Sequence, residues 1–94
     1  MYVVMLHYKV GLDVMDQHRP AHLEWLKRGY AAGLLLASGR QNPPTGGCIL
    51  ARAMPREQLD AYLATDPFMT AGLADYQVTE FNPNLWAPEL QGVH

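Results

Sequence analysis

The chain has a single cysteine and a single serine among its 94 residues, and few charges, 17% of the total. One cysteine, Cys48, excludes an internal disulfide and any zinc cage built on several thiolates. It points to a reducing, cytoplasmic setting. Cys48 sits in the apolar run 48–51 and reads as a buried, inert thiol rather than a nucleophile. With Ser38 the only serine, no nucleophile-elbow motif can be assembled. No apolar run reaches the length of a membrane span, so no membrane partner is expected. Met1-Tyr2-Val3-Val4-Met5-Leu6 has no basic lead and no cleavage site, and reads as a strand rather than a signal peptide. The seven Lys and Arg are scattered and the net charge is −2, which argues against nucleic acid as a partner. There is no phosphate loop, no GxGxxG and no cofactor fingerprint, so no cofactor is expected.

What is present describes one domain. Residues 2–9 are β-branched, aromatic and apolar at both parities, the pattern of a strand covered on both faces. A helix follows to Gly33. Asp13 or Asp16 can cap it, but Pro20 fits best within a first turn. His22, Leu23, Leu26 and Tyr30 form its apolar stripe, with Glu24, Lys27 and Arg28 mostly opposite. Leu34–Ser38 and Cys48–Ala53 read as a hairpin around a loop containing two prolines and three glycines. Pro55 opens a second helix with Leu59, Tyr62 and Leu63 on its apolar side. Asp66-Pro67 is an N-cap and first-position pair for a short helix over Phe68–Ala71, closed by Gly72. Tyr76–Phe81 is the last strand.

The order β-α-β-β-α-β is the ferredoxin-like α+β plan, a four-stranded antiparallel sheet with helices on one face. The apolar second face of the first strand asks for a partner. Together with the sparse charge, that predicts a homodimer, its two sheets closing into an α+β barrel. Residues 1–83 form the domain. The tail 84–94 carries Leu85, Trp86 and Leu90, and is expected to pack on the body or on the partner subunit, with His94 solvated.

Arg19-Pro20-Ala21-His22-Leu23 and Thr65-Asp66-Pro67-Phe68 carry the candidate chemistry. An imidazole near a helix start and a carboxylate between two helices are a minimal kit for moving protons. The helix N-terminus disfavours an imidazolium and a nearby carboxylate favours it, a balance suited to near-neutral titration. Asp66 can serve twice, one oxygen capping the short helix and the other holding His22. Taken singly, each residue has a plainer account: a packed histidine, a helix cap and, for Ser38-Gly39, a turn. His18 and His22 are four apart, but without HExxH no metal site is expected. His7 alternates with Met5 and can face a cavity. Met5, Met54 and Met69, with Tyr8, Trp25 and Phe68, are core or pocket lining.

Arg19-Pro20-Ala21-His22-Leu23, Leu35–Gly39, Asp66-Pro67-Phe68 with Ala71-Gly72-Leu73, and Val78–Phe81 together resemble the YciI-like (YCII-related) proteins, from the first strand to about Pro83. The resemblance implies a ferredoxin-like fold in a dimeric α+β barrel. It implies an active centre formed by His22 and Asp66, with Ser38 at a strand-end small-residue position. The loop from Gln41 to Gly47 is shorter than in many members, and the tail beyond Pro83 has no counterpart. The expectation is a small enzyme without a cofactor. In it, His22 is the acid or base, Asp66 orients it, and Ser38, Phe68 and Met69 meet a small organic molecule undergoing isomerisation, elimination or hydrolysis. A non-catalytic metabolite-binding or regulatory dimer is the alternative; a purely structural dimer is a third reading.

Overall fold

A computed structural model describes residues 1–93; the expectation for His94 lies outside the described residues. The elements run β1 (Tyr2–Tyr8), α1 (Leu12–Ala31), β2 (Leu35–Arg40), β3 (Gly46–Ala51), α2 (Arg56–Leu63), α3 (Pro67–Thr70) and β4 (Ala74–Glu80), then a single 3₁₀ turn at Pro88–Leu90. The sheet has the order β2-β3-β1-β4 and every pair is antiparallel. The ferredoxin-like α+β plan therefore holds.

β1 lies at the centre because it can be covered twice. Tyr2, Val4 and Leu6 are buried on the helix side, next to Ile49 and Ala51 of β3 and beside Met15, Trp25, Leu59 and Phe68 from the helices. On the other side Val3 and Met5 are only half-buried and His7 is exposed. Their register neighbours Leu50 and Cys48 are half-buried as well. This is the apolar face that the isolated chain leaves open.

α1 departs from the sequence expectation at its start. It begins at Leu12 after Gly11, with no side-chain cap, so neither Asp13 nor Asp16 caps it, and Pro20 lies inside the helix. An internal proline removes one backbone hydrogen bond and costs about 3 kcal/mol. The turns before it place Met15 in the core, and burying such a side chain returns roughly 1.5–3 kcal/mol. The buried stripe is also rotated: Met15, His22, Trp25, Leu26 and Gly29 face inward, while Leu23 (41%) and Tyr30 (40%) are exposed. α1 stops at Gly33, whose φ of 75° is a left-handed conformation open to glycine without penalty.

β2 carries a bulge. Leu35 pairs with Ala51 and Ala37 with Leu50, so Leu36 is the extra residue. Without it, Leu35 and Ser38 would point to opposite faces. With it, Leu35 enters the core and Ser38, opposite Ile49, also faces α1.

Close backbone approach decides one glycine. A Cβ on Gly46 would lie 1.8 Å from the carbonyl oxygen of Leu6, whereas one on Gly39 meets nothing within 4 Å. Gly46→Ala is expected to destabilise the fold by roughly 2 kcal/mol or more, because the obstacle is backbone. Gly39→Ala should stay within about 0.5 kcal/mol of the parent. Urea unfolding of the two variants checks the contrast.

Candidate functional site

Asp66 sits at the turn from α2 into α3, with extended backbone (φ −62°, ψ 129°) and Pro67 next, the geometry of an N-cap. Its side chain is wholly buried. A carboxylate is acceptor-only, and burial demands that its oxygens be paired. Oδ1 accepts from the Phe68 amide at 3.0 Å and from His22 Nδ1 at 2.8 Å. Oδ2 accepts from the Tyr76 hydroxyl. The capping and imidazole-holding roles thus coexist, but on one oxygen rather than on two; β4 supplies the partner of the other.

His22 is not at a helix start. It lies mid-way along α1, so the helix N-terminus plays no part in its electrostatics and that expectation is withdrawn. Its ring is held between aromatic faces: Phe68 at 4.0 Å and 9°, and Trp25 at 5.6 Å and 25°. Because Asp66 only accepts, Nδ1 carries the proton, and the neutral ring keeps its lone pair on Nε2. Nε2 has no hydrogen-bond partner among the described residues.

The frame behind this pair is rigid. Trp25 stacks on Tyr62 at 4.2 Å and 9°. Its indole N–H donates to the Tyr62 carbonyl (3.2 Å) and to Thr65 Oγ1 (3.0 Å), and the Tyr62 hydroxyl donates to the Trp25 carbonyl (3.0 Å). α1 is thereby locked to the end of α2, one residue before Asp66.

His22 lines a cavity of about 90 Å³ between α1 and the β2-β3-β1 part of the sheet. Ser38 and Phe68 line it too, as expected. Ser38 Oγ lies 2.7 Å from the Tyr30 hydroxyl. Met69 does not line this cavity and is 36% exposed, because the next residue on a helix turns away by about 100° from Phe68. Cys48 borders the cavity, but its register with Met5 puts its side chain on the open sheet face, and it is half-buried rather than fully buried. His7 opens on a second groove, of about 340 Å³, with Met5, Leu6, Gln41, Asp75, Tyr76 and Gln77. His18 bonds the Val14 carbonyl at 3.2 Å. Among the described residues, no group of three or more His, Cys, Asp or Glu could hold a metal ion.

Three contributors escape sequence reasoning. Arg19, one turn before His22, and Arg40, two residues after Ser38 on the same face of β2, both line the cavity. The i, i+3 spacing of Arg19 and His22 is the signal that could have found the first. Arg40 donates to Asp16 at 2.6 Å and lies over the Tyr8 ring at 5.9 Å. That ion pair pushes its pKa above the ordinary arginine value. Tyr76 is the third; a polar tip on the core side of β4 is readable only once Asp66 is placed there.

Burial, and then the neighbouring Asp66 charge, push the Tyr76 phenol well above its ordinary value of 10.0, and the same two causes act on Tyr62. A phenol whose pKa rises on folding gives its full stabilisation below about pH 10 and loses it as pH climbs toward the folded value. Tyrosinate absorbance is therefore expected to show a late fraction beyond the ordinary range, rising together with unfolding. Tyr76→Phe should shrink that fraction. All five tyrosines ionising together near pH 10 in folded protein would contradict the site geometry.

Residues 1–82 match the model of the YCII-related domain. No curated protein matches the chain. Among solved structures, the chain is similar to 5-chloro-2-hydroxyhydroquinone dehydrochlorinase (TftG) from Burkholderia phenoliruptrix AC1100, in complex with 2,5-dihydroxybenzoquinone. The two share 20% identity over 87% of this chain and 94% of that one, with a TM-score of 0.71. At that identity the likeness is one of fold. The match over residues 1–82, on the fold just described, makes this chain a member of the YCII-related family.

Proposed function

We propose that this protein is a small acid–base enzyme in which His22 moves a proton on a small organic substrate. One observation carries the reading: Nδ1 of His22 is tied to a buried carboxylate while the ring lines a cavity with Nε2 unpartnered. In that state Nε2 is a base. It takes a proton from carbon, the C–H electron pair passes into the neighbouring π system, and the imidazolium is stabilised by Asp66. Returning the proton to another carbon completes an isomerisation. Expelling a leaving group with its own electron pair completes an elimination, and the proton then leaves with it or to water. The structural neighbour is a dehydrochlorinase, an elimination enzyme on the same fold, which supports this class of chemistry over hydrolysis. Ser38 and Phe68 are assigned to holding substrate, the first by its hydroxyl and the second by its ring. Asp66 is a positioning residue.

A substrate can be sought among small organic compounds that raise the melting temperature. With one in hand, His22→Asn should lower kcat by about 10²–10⁴-fold, the usual worth of a general base, in a variant that circular dichroism shows to be folded. Asp66→Asn should lower kcat and shift the pH profile. Undiminished turnover by His22→Asn sinks the reading. Saturable binding with no product favours a metabolite-binding module instead.

The assembly we propose is a homodimer formed through the open sheet face. Val3, Met5, Cys48 and Leu50 make an apolar patch there that the isolated chain covers only in part, and Leu85, 88% exposed, gives the tail a reason to lie on the partner. Sedimentation equilibrium should return twice the 10.5 kDa chain mass. Met5→Lys, which places a charge in the patch, should return the monomer. A monomeric parent protein contradicts the assignment.

A further inference from the structure

We propose that the cavity beside His22 recognises a carboxylate carried by the substrate, with Arg19 and Arg40 as its binding groups and Ser38 as a further donor. The proposal rests on the reading above in one respect, that this cavity is the substrate site.

Charge is the first argument. The chain as a whole is acidic, with a net charge of −2. The cavity lining holds two arginines and neither Asp nor Glu; Asp16 pairs with Arg40 from outside the lining. Asp66 lies behind the imidazole, with its oxygens engaged by His22, Phe68 and Tyr76, and presents none of them to the cavity. Arg19 is the lining cation with no carboxylate paired to it among the described residues, and an anion is the complement of such a group.

Unused donors are the second argument. Arg19 has no hydrogen bond or ion pair with any described residue. Arg40 gives one terminal nitrogen to Asp16, while its Nε is buried without a partner. A guanidinium offers five N–H donors in a planar fork that fits a carboxylate edge-on. Ser38 has one partner, the Tyr30 hydroxyl; when Tyr30 donates to it, the serine proton is free to donate onward.

Surroundings select the carboxylate among oxyanions. The cavity, about 90 Å³, is well above the volume needed to hold a water. Phosphate sites commonly use free amides at a helix N-terminus or a glycine-rich loop. α1 crosses this cavity mid-helix, where its amides are engaged. Leu23, Leu26, Ile49 and Phe68 complete the wall, a lining suited to a hydrocarbon body. The ligand class is thus a small organic acid with an apolar or aromatic body. Its carboxylate is neutralised by arginine beside the base, where charge developing on the substrate is also stabilised.

The test titrates benzoate, benzamide and inorganic phosphate into the isotope-labelled protein and follows amide shifts at His22, Ser38 and Arg40. Benzoate should bind saturably and about tenfold or more tighter than benzamide, as charge-assisted hydrogen bonds imply. Phosphate should bind more weakly than benzoate. Arg19→Gln should weaken benzoate by about tenfold, Arg19→Lys by less, and Asp16→Asn, which releases Arg40, should strengthen it. Equal affinity for acid and amide, no saturation by benzoate, or indifference to Arg19→Gln overturns the proposal. A preference for phosphate overturns the choice of carboxylate. Should an arginine variant fail to fold, the acid–amide comparison in the unaltered protein still decides. Loss of turnover in His22→Asn with no preference for the acid would leave proton transfer standing and remove this inference alone; the converse result would do the opposite.

Discussion

A carboxylate with no exposure to water is the constraint that organises this small domain. Removing such a charge from solvent costs several kcal/mol unless every lone-pair direction finds a donor. Asp66 finds three donors, on three different elements: the Phe68 amide of α3, the imidazole of α1 and the phenol of β4. Asp66 itself has no surface open to solvent. Satisfying one side chain therefore fixes the relative placement of α1, α3 and β4. The Trp25–Tyr62–Thr65 hydrogen bonds repeat the lock one residue earlier, and the fold and the site are stabilised by the same contacts.

That coupling bears on function. An imidazole free to rotate offers either nitrogen to a ligand and spends entropy when one is chosen. Here the acceptor-only carboxylate selects the tautomer, and the flanking Phe68 and Trp25 rings select the plane. On the proposed reading, what remains for a substrate is one lone pair in one direction. The apolar rings serve the core and the base at once, so the cost of preorganisation falls on packing that the domain needs in any case.

Much of this was legible in the sequence, and what was not has identifiable causes. The His22–Asp66 pair could be read because Asp-Pro before an aromatic is a strong cap signature and the β-α-β-β-α-β order returns that cap to the first helix. The start of α1 was misplaced because a proline inside a helix is locally unfavourable, and the burial of Met15 that offsets it is a tertiary fact. The stripe was rotated for the same reason: Trp25 and Gly29 face inward because Tyr62 packs there, and a Cβ at Gly29 would lie 2.1 Å from the Tyr62 hydroxyl. The bulge at Leu36, which turns Ser38 toward α1, leaves no mark in a run of small and apolar residues. The sequence expects both Phe68 and Met69 to line the pocket, but a helix separates adjacent residues by about 100° and only Phe68 does so. Arg19 and Arg40 looked like scattered surface charge, and only the crossing of α1 over β2 brings them to one cavity.

This crossing brings two guanidinium groups to one cavity in an acidic chain. Asp66 is buried in the core behind the imidazole, where on the proposed reading it supports the base. Arg40 is half-committed to Asp16 on the solvent side, which holds the guanidinium at the cavity mouth without filling its inner donors. Negative charge is thus kept behind the imidazole and positive charge in front. That order suits a base that must accept a proton and become cationic: Asp66 stabilises the imidazolium from the rear, while an anion at the arginines balances it from the front. On the proposed reading, the field across the ring favours the charge separation that proton abstraction creates.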